Sequence, residues 1–114
     1  MVKNITKKEF DQLFVKSDDK LSNNEGENCI LKFTAKWCGP CKMMAPILEK
    51  ISTEKNINVY EVDVDEEFEL SEMFNIRSIP TIYFVSANSG ELKHQIGAIS
   101  QVQMEKLIQK HFGE

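Results

Sequence analysis

Two cysteines lie three positions apart in Cys38-Gly39-Pro40-Cys41, which follows an apolar stretch and opens a helical pattern. The free N–H groups and the macrodipole of a helix N-terminus stabilise an anion, so we expect the Cys38 thiolate to be available as a nucleophile near neutral pH. Cys41 lies one helical turn further on the same side, where it can resolve a mixed disulfide. Pro40 restrains the loop, and Gly39 lets a partner approach closely. The motif in this context predicts thiol–disulfide exchange.

The same two cysteines could instead be half of a zinc site or two unrelated core thiols. Tetrahedral zinc needs four ligands, and the remaining Cys and His residues, Cys29, His94 and His111, form no second paired spacing. We therefore expect no metal. Inert thiols are not expected at a strand-to-helix junction. Cys29 opens a buried type of strand and is interpreted as a small hydrophobic residue.

Apolar periodicity and capping residues predict the elements that position the cysteines. Strands are predicted over residues 2–5, 29–34, 59–64, 81–85 and 91–96, and helices after Thr6, over 40–55 and 66–74, and after Ser100. Pro46 is expected to kink the second helix. The polar residues 17–28 show no period and are expected to form a loop. This order predicts an α/β fold with a mixed sheet covered by helices on both faces.

Composition limits the class of protein and its partners. The 114 residues are 41% hydrophobic and 28% charged, which predicts one globular domain over residues 1–114. A net charge of −4, with both signs interspersed, argues against binding to nucleic acid or to a membrane surface. We find no membrane-spanning run and no secretory signal, so the expectation is a cytoplasmic monomer.

The cysteine motif and several other segments together resemble the thioredoxin family over nearly the whole chain. These segments are Trp37-Cys38-Gly39-Pro40-Cys41-Lys42-Met43, Ala45-Pro46, Val62-Asp63-Val64-Asp65, Arg77-Ser78-Ile79-Pro80-Thr81 and Gly97-Ala98. The resemblance implies a thioredoxin fold with a central mixed five-stranded sheet whose first strand lies at an edge. It also implies that Cys38 is the nucleophile, that Cys41 is the resolving thiol, and that Pro80 is in the cis form facing both.

The resemblance further implies a binding groove and a function. Trp37, Ile79, Pro80, Gly97 and Ala98 would line a shallow apolar groove beside the nucleophile, where the backbone of Ile79 would bind a substrate peptide. The implied activity is that of a thiol-disulfide oxidoreductase in electron transport and cell redox homeostasis, which reduces substrate protein disulfides without a bound cofactor. Recycling would fall to a thioredoxin reductase, an NADPH-dependent flavoenzyme.

Two positions depart from the family pattern. Lys32 stands where the family usually has a buried Asp, and Glu61 stands where bacterial members commonly have a Lys. We hypothesise that the two residues form a charge-swapped ion pair that tunes the redox potential or relays a proton. The alternative is that the Lys32 ammonium extends to the surface and has no role.

Two other functions stay open. The domain could be an assembly subunit that binds a partner through the groove without turnover. It could also act as a dithiol oxidase or isomerase if Lys32 makes the couple more oxidising.

Overall fold

A mixed five-stranded β-sheet forms the centre of the computed structural model, which describes residues 1–113. In chain order its strands are β1 (Val2–Asn4), β4 (Cys29–Thr34), β5 (Asn58–Asp63), β6 (Thr81–Val85) and β7 (Leu92–Ile96). Their order across the sheet is β1-β5-β4-β6-β7. β1 and β4 run parallel to β5, whereas β6 is antiparallel to β4 and β7 is antiparallel to β6. The mixed sheet predicted from the sequence is confirmed, with β1 at one edge.

Helices cover both faces of this sheet, as predicted. They are α1 (Lys7–Leu13), α2 (Gly39–Lys55), α3 (Phe68–Met73) and α4 (Gln101–Phe112). Alternate residues of β4 separate two cores: Leu31 and Phe33 pack with α1 and α3, while Ile30 packs with α2 and α4. None of the helices within residues 1–113 has the length and apolar character that crossing a bilayer requires.

The helix boundaries follow local signals in the sequence. Thr6 and Ser100 cap α1 and α4, and each forms a reciprocal capping box with the third residue of its helix, Glu9 or Gln103. α2 begins with Pro40 in its first turn and continues through Pro46 to its C-terminus. This long helix carries the cysteine motif at its N-terminal end.

The prediction of a loop over residues 17–28 is wrong, because much of this segment belongs to a β-hairpin. β2 (Phe14–Ser17) pairs antiparallel with β3 (Lys20–Asn23), and Asp18 turns between them with a left-handed backbone (φ 49°). Leu21 is fully buried, and its N–H donates to the Gly90 carbonyl at 2.7 Å, which ties β3 to the turn between β6 and β7. Leu21 is the only large apolar residue between Val15 and Cys29, so the sequence of this segment does not show the alternation of apolar and polar residues that predicts a strand.

Candidate active site

The two motif cysteines lie at the N-terminus of α2 and are joined by a disulfide bond. Cys38 is the N-cap residue, and its Sγ accepts a hydrogen bond from the Cys41 N–H at 3.2 Å. The Cα atoms are 5.3 Å apart, which is usual for a disulfide. Gly39 and Pro40 form the exposed first turn between the cysteines. A backbone donor of the helix N-terminus, which can stabilise an anion, therefore points at the Cys38 sulfur.

A small apolar cluster surrounds the disulfide. Ala35, which follows β4, packs with Cys38 and Cys41, and the side chains of Val64 and Ile79 lie against them. Cys38 retains 4% of its surface exposed and Cys41 only 1%. An incoming thiol or disulfide therefore reaches Cys38 first, as the order of attack in thiol–disulfide exchange requires.

Of the residues predicted to line a groove, Ile79 packs directly against this cluster. The Ile79–Pro80 peptide bond is cis, as the resemblance implied, and the Gly97 N–H donates to the Pro80 carbonyl at 2.8 Å. Trp37 is 70% exposed, and its indole Nε1 donates to Asp65 Oδ2 at 2.8 Å. The indole is therefore held at the surface, where a bound peptide can contact it.

Two shallow cavities extend this surface. One, of about 370 Å³, is lined by Trp37, Val64, Ser71, Ile76, Arg77, Ser78 and Ile79. The other, of about 340 Å³, is lined by Met43, Ile47, Ala98, Ile99, Ser100 and Gln103. The predicted groove residues Trp37 and Ile79 thus belong to one cavity and Ala98 to the other. Sequence reasoning missed Arg77 and Met43 as lining residues, although both lie in segments that carry the family resemblance.

Lys32 and Glu61 form the predicted ion pair. They are register partners on the adjacent parallel strands β4 and β5, so their side chains leave the same face of the sheet. Lys32 Nζ lies 3.2 Å from Glu61 Oε2 and donates to the Cys41 carbonyl at 3.0 Å. The Lys32 side chain is 1% exposed, so the alternative in which its ammonium extends to the surface is wrong.

A third cavity, of about 260 Å³, opens beside this ion pair. Its lining includes Lys32, Glu61 and Cys41 together with Thr34 and Ala45. The side chain of Glu61 is 20% exposed and that of Lys32 is 1% exposed, so Glu61 is the member of the pair that contacts solvent. Sequence reasoning found the two charges but not the cavity, since its walls come from four separate segments of the chain.

The remaining Cys and His residues lie apart from the motif. Burial raises the pKa of the Cys29 thiol to about 12, and Asn23 Nδ2 donates to its sulfur at 3.4 Å. His94 packs against Tyr83 and His111 against Phe84. Residues 1–113 contain no group of three or more His, Cys, Asp or Glu side chains placed to hold a metal ion.

Comparison with known proteins gives consistent matches. Residues 1–110 match the family model described as Thioredoxin. A thioredoxin of Borreliella burgdorferi is 38% identical over 100 residues, covering 86% of this chain and 85% of the relative. A thioredoxin of Mycoplasmoides gallisepticum is 38% identical over 109 residues, covering 94% of this chain and 99% of the relative. The solved structure of a chloroplastic thioredoxin z has a TM-score of 0.78 at 28% identity, covering 96% of this chain and 92% of that one.

Proposed function

Since this chain belongs to the thioredoxin family and is a protein-disulfide oxidoreductase, we propose that it works as a reductant of protein disulfides through Cys38 and Cys41. The observation that carries the proposal is the position of the Cys38–Cys41 disulfide, at the start of α2 and beside an exposed Trp37. The backbone N–H groups there favour a thiolate at Cys38, and the apolar surface around it suits an extended peptide.

The reaction consists of two exchanges. In the first, the Cys38 thiolate attacks one sulfur of a substrate disulfide, which breaks the substrate S–S bond, forms a mixed disulfide and releases one substrate thiolate. In the second, Cys41 loses its proton and attacks Cys38 Sγ, which forms the Cys38–Cys41 bond and releases the second substrate thiolate. Two electrons pass from the enzyme dithiol to the substrate, whose thiolates take up two protons.

The proposed setting is a cytoplasmic monomer that a thioredoxin reductase, an NADPH-dependent flavoenzyme, returns to the dithiol form. The uncharged residues Gly39 and Pro40 between the cysteines support the reducing direction by analogy with the family. The expected substrates are proteins whose disulfides lie in exposed, extended segments, since the groove beside Cys38 is shallow.

Reduction of insulin disulfides by dithiothreitol tests this function, with precipitation of the insulin B chain as the readout. The wild-type protein is expected to accelerate precipitation, and Cys38→Ser is expected to abolish the acceleration. Cys41→Ser is expected to accumulate a mixed disulfide with the substrate, because the second exchange is lost. Cys29→Ser, which removes the buried thiol, serves as the matched control and should keep activity.

Two results would contradict the proposal. Wild-type protein that does not accelerate insulin reduction would favour the assembly-subunit function. Wild-type protein that instead oxidises a dithiol peptide faster than it reduces a disulfide would favour the oxidase or isomerase function.

A further inference from the structure

A cavity of about 360 Å³ lies between β7 and α4, and we call it the α4 cavity. Its floor is apolar, because Ile99 and Leu107 are half-buried and pack against the core beneath α4. Among the described residues that line it, two are cationic and none is acidic. The lining residues are Gln95, Ile99, Gln103, Lys106, Leu107 and Lys110.

The α4 residues of this cavity share one face of the helix, since they follow the spacing i, i+3, i+4 and i+7. Glu105 lies on the opposite side of α4, where its carboxylate accepts a hydrogen bond from Gln101 Nε2 at 3.2 Å. Lys106 and Lys110 are exposed, and neither forms a salt bridge with another residue of the described range 1–113. Their ammonium groups are therefore available to a binding partner.

The α4 cavity adjoins the surface beside the disulfide. Ile99 and Gln103 line both this cavity and the neighbouring one of about 340 Å³, which also contains Met43 and Ala98. Ala98 belongs to the groove predicted beside Cys38. A continuous surface path therefore leads from that groove over Ile99 to the two lysines.

The spacing of the two lysines matches that of an extended peptide. Lys106 and Lys110 are four residues apart on α4, which places them about 6 Å apart along the helix axis at ~1.5 Å per residue. Side chains at positions i and i+2 of an extended peptide leave the same face of the chain about 7 Å apart. Two carboxylates with one residue between them can therefore reach both ammonium groups.

The charge of this surface is opposite to that of the whole chain. The net charge of −4 repels an acidic segment from the protein in general. Lys93 on β7 adds little to the attraction, because Glu91 Oε2 lies 3.4 Å from its Nζ. An acidic segment is therefore attracted locally by the two α4 lysines, which orient it and repel a basic one.

We propose that the α4 cavity extends the substrate groove and selects substrate proteins with the pattern apolar-x-acidic-x-acidic beside their disulfide, read away from it. The apolar side chain packs on Ile99 and Leu107, and the two carboxylates pair with Lys106 and Lys110. This inference rests on the proposed function and names its substrate class.

The experiment measures second-order rate constants for the reduction of synthetic peptides by the pre-reduced protein. Each peptide has one intramolecular disulfide and a tail in which the order apolar-x-acidic-x-acidic, read away from the disulfide, is Leu-Ser-Glu-Ser-Glu, or the same tail with Gln for Glu. Both tails are tested on the N-terminal and on the C-terminal side of the disulfide. Reactions are quenched with acid, and the reduced peptide is quantified by chromatography.

The measured quantity is the ratio of the two rate constants, acidic tail over amide tail. For the placement that directs the tail over α4, the ratio is expected to be about five at low ionic strength, the effect of two exposed ion pairs. Added salt screens such pairs, so the ratio should fall toward one as the salt concentration rises. The amide tail keeps the length and the apolar residue, so the ratio isolates the contribution of charge.

Two double variants locate the effect. Lys106→Gln, Lys110→Gln removes both ammonium groups of the α4 cavity and is expected to bring the ratio to about one. Lys8→Gln, Lys50→Gln is the matched control, because it removes two exposed lysines on α1 and α2 and changes the net charge equally. The control is expected to keep the ratio of the wild-type protein.

A preference for the acidic tail that is present in the wild type and the control, and absent from Lys106→Gln, Lys110→Gln, would support the proposal. A ratio near one for the wild type at low salt would overturn it, as would an equal decrease in the control, which indicates a general effect of net charge. If the wild type reduces neither peptide, the proposed function is contradicted. Fluorescence anisotropy of the labelled tails with Cys38→Ser, Cys41→Ser protein then tests the surface: preferential binding of the acidic tail supports it, and equal binding overturns it.

Discussion

The β2–β3 hairpin is predicted to be an integral part of the folded domain, and Leu21→Ala tests this. Leu21 is fully buried and belongs to the core formed with Phe10 and Phe14. Val15 lies on the same hairpin but is 58% exposed, so Val15→Ala is a control for changes in strand propensity alone. The two variants therefore differ in burial and share their position in the hairpin.

The expected loss follows from the burial of the side chain. Leu→Ala removes roughly three methylene equivalents, worth about 2.4 kcal/mol at ~0.8 kcal/mol each. The cavity that remains adds to this loss, so about 3 kcal/mol is expected, within the range of about 2–5 kcal/mol for such substitutions. With a urea slope of about 2 kcal/mol/M, the unfolding midpoint should fall by about 1.5 M.

Equilibrium unfolding in urea, followed by far-ultraviolet circular dichroism on the oxidised protein, measures this loss. Val15→Ala is expected to cost less than about 1 kcal/mol because its side chain is largely solvated. If Leu21→Ala lost no more stability than Val15→Ala, the hairpin would be a detachable surface element, and its assignment to the main core would be wrong.

Two further predictions concern the groups with shifted pKa values. Because burial raises the pKa of the Cys29 thiol to about 12, iodoacetamide at pH 8 should label Cys29 in Cys38→Ser, Cys41→Ser protein only after denaturation; labelling of the folded protein would refute this. Burial against Phe84, with smaller contributions from nearby lysines, lowers the pKa of His111. As the pH falls, the unfolded chain therefore binds a proton at His111 at a higher pH than the folded protein does. The free energy of unfolding is unaffected above about pH 6.5 and declines as the pH falls from there through the lower folded-state pKa. His111→Gln should therefore lessen the decrease in the urea unfolding midpoint between about pH 7 and pH 5.

The elements with strong local signals were predictable from the sequence. β6 was predicted at its observed bounds because five consecutive strand-forming residues lie between Pro80 and a polar turn. The first residues of α1 and α4 follow from the capping residues Thr6 and Ser100. The hairpin was missed for the opposite reason: the second buried residue of β3 is Asn23, whose polar side chain conceals the alternation until its contact with Cys29 is known.

Some features of the site could be predicted from the residues alone, some only from the family resemblance, and one from neither. The position of Cys38 at a helix N-terminus followed from the residues themselves, whereas the cis bond before Pro80 followed only from the family resemblance. The contact between Lys32 and Glu61 was likewise predicted from the family pattern, and the register of the parallel strands β4 and β5 confirms it. The hydrogen bond from Lys32 to the Cys41 carbonyl could not be predicted, because it depends on how α2 packs over β4.

Stability does not explain why an ion pair occupies the centre of this sheet. Replacing a buried ion pair by apolar residues of similar volume is often neutral or stabilising, by about 1–4 kcal/mol. The neighbours of Lys32 on the same face, Ile30 and Ile82, show that the surrounding core is apolar. A charge that breaks the local packing pattern is expected at functional sites, where it is retained for its effect on chemistry. The hydrogen bond from the Lys32 ammonium to the Cys41 carbonyl places that charge against the backbone of the cysteine motif.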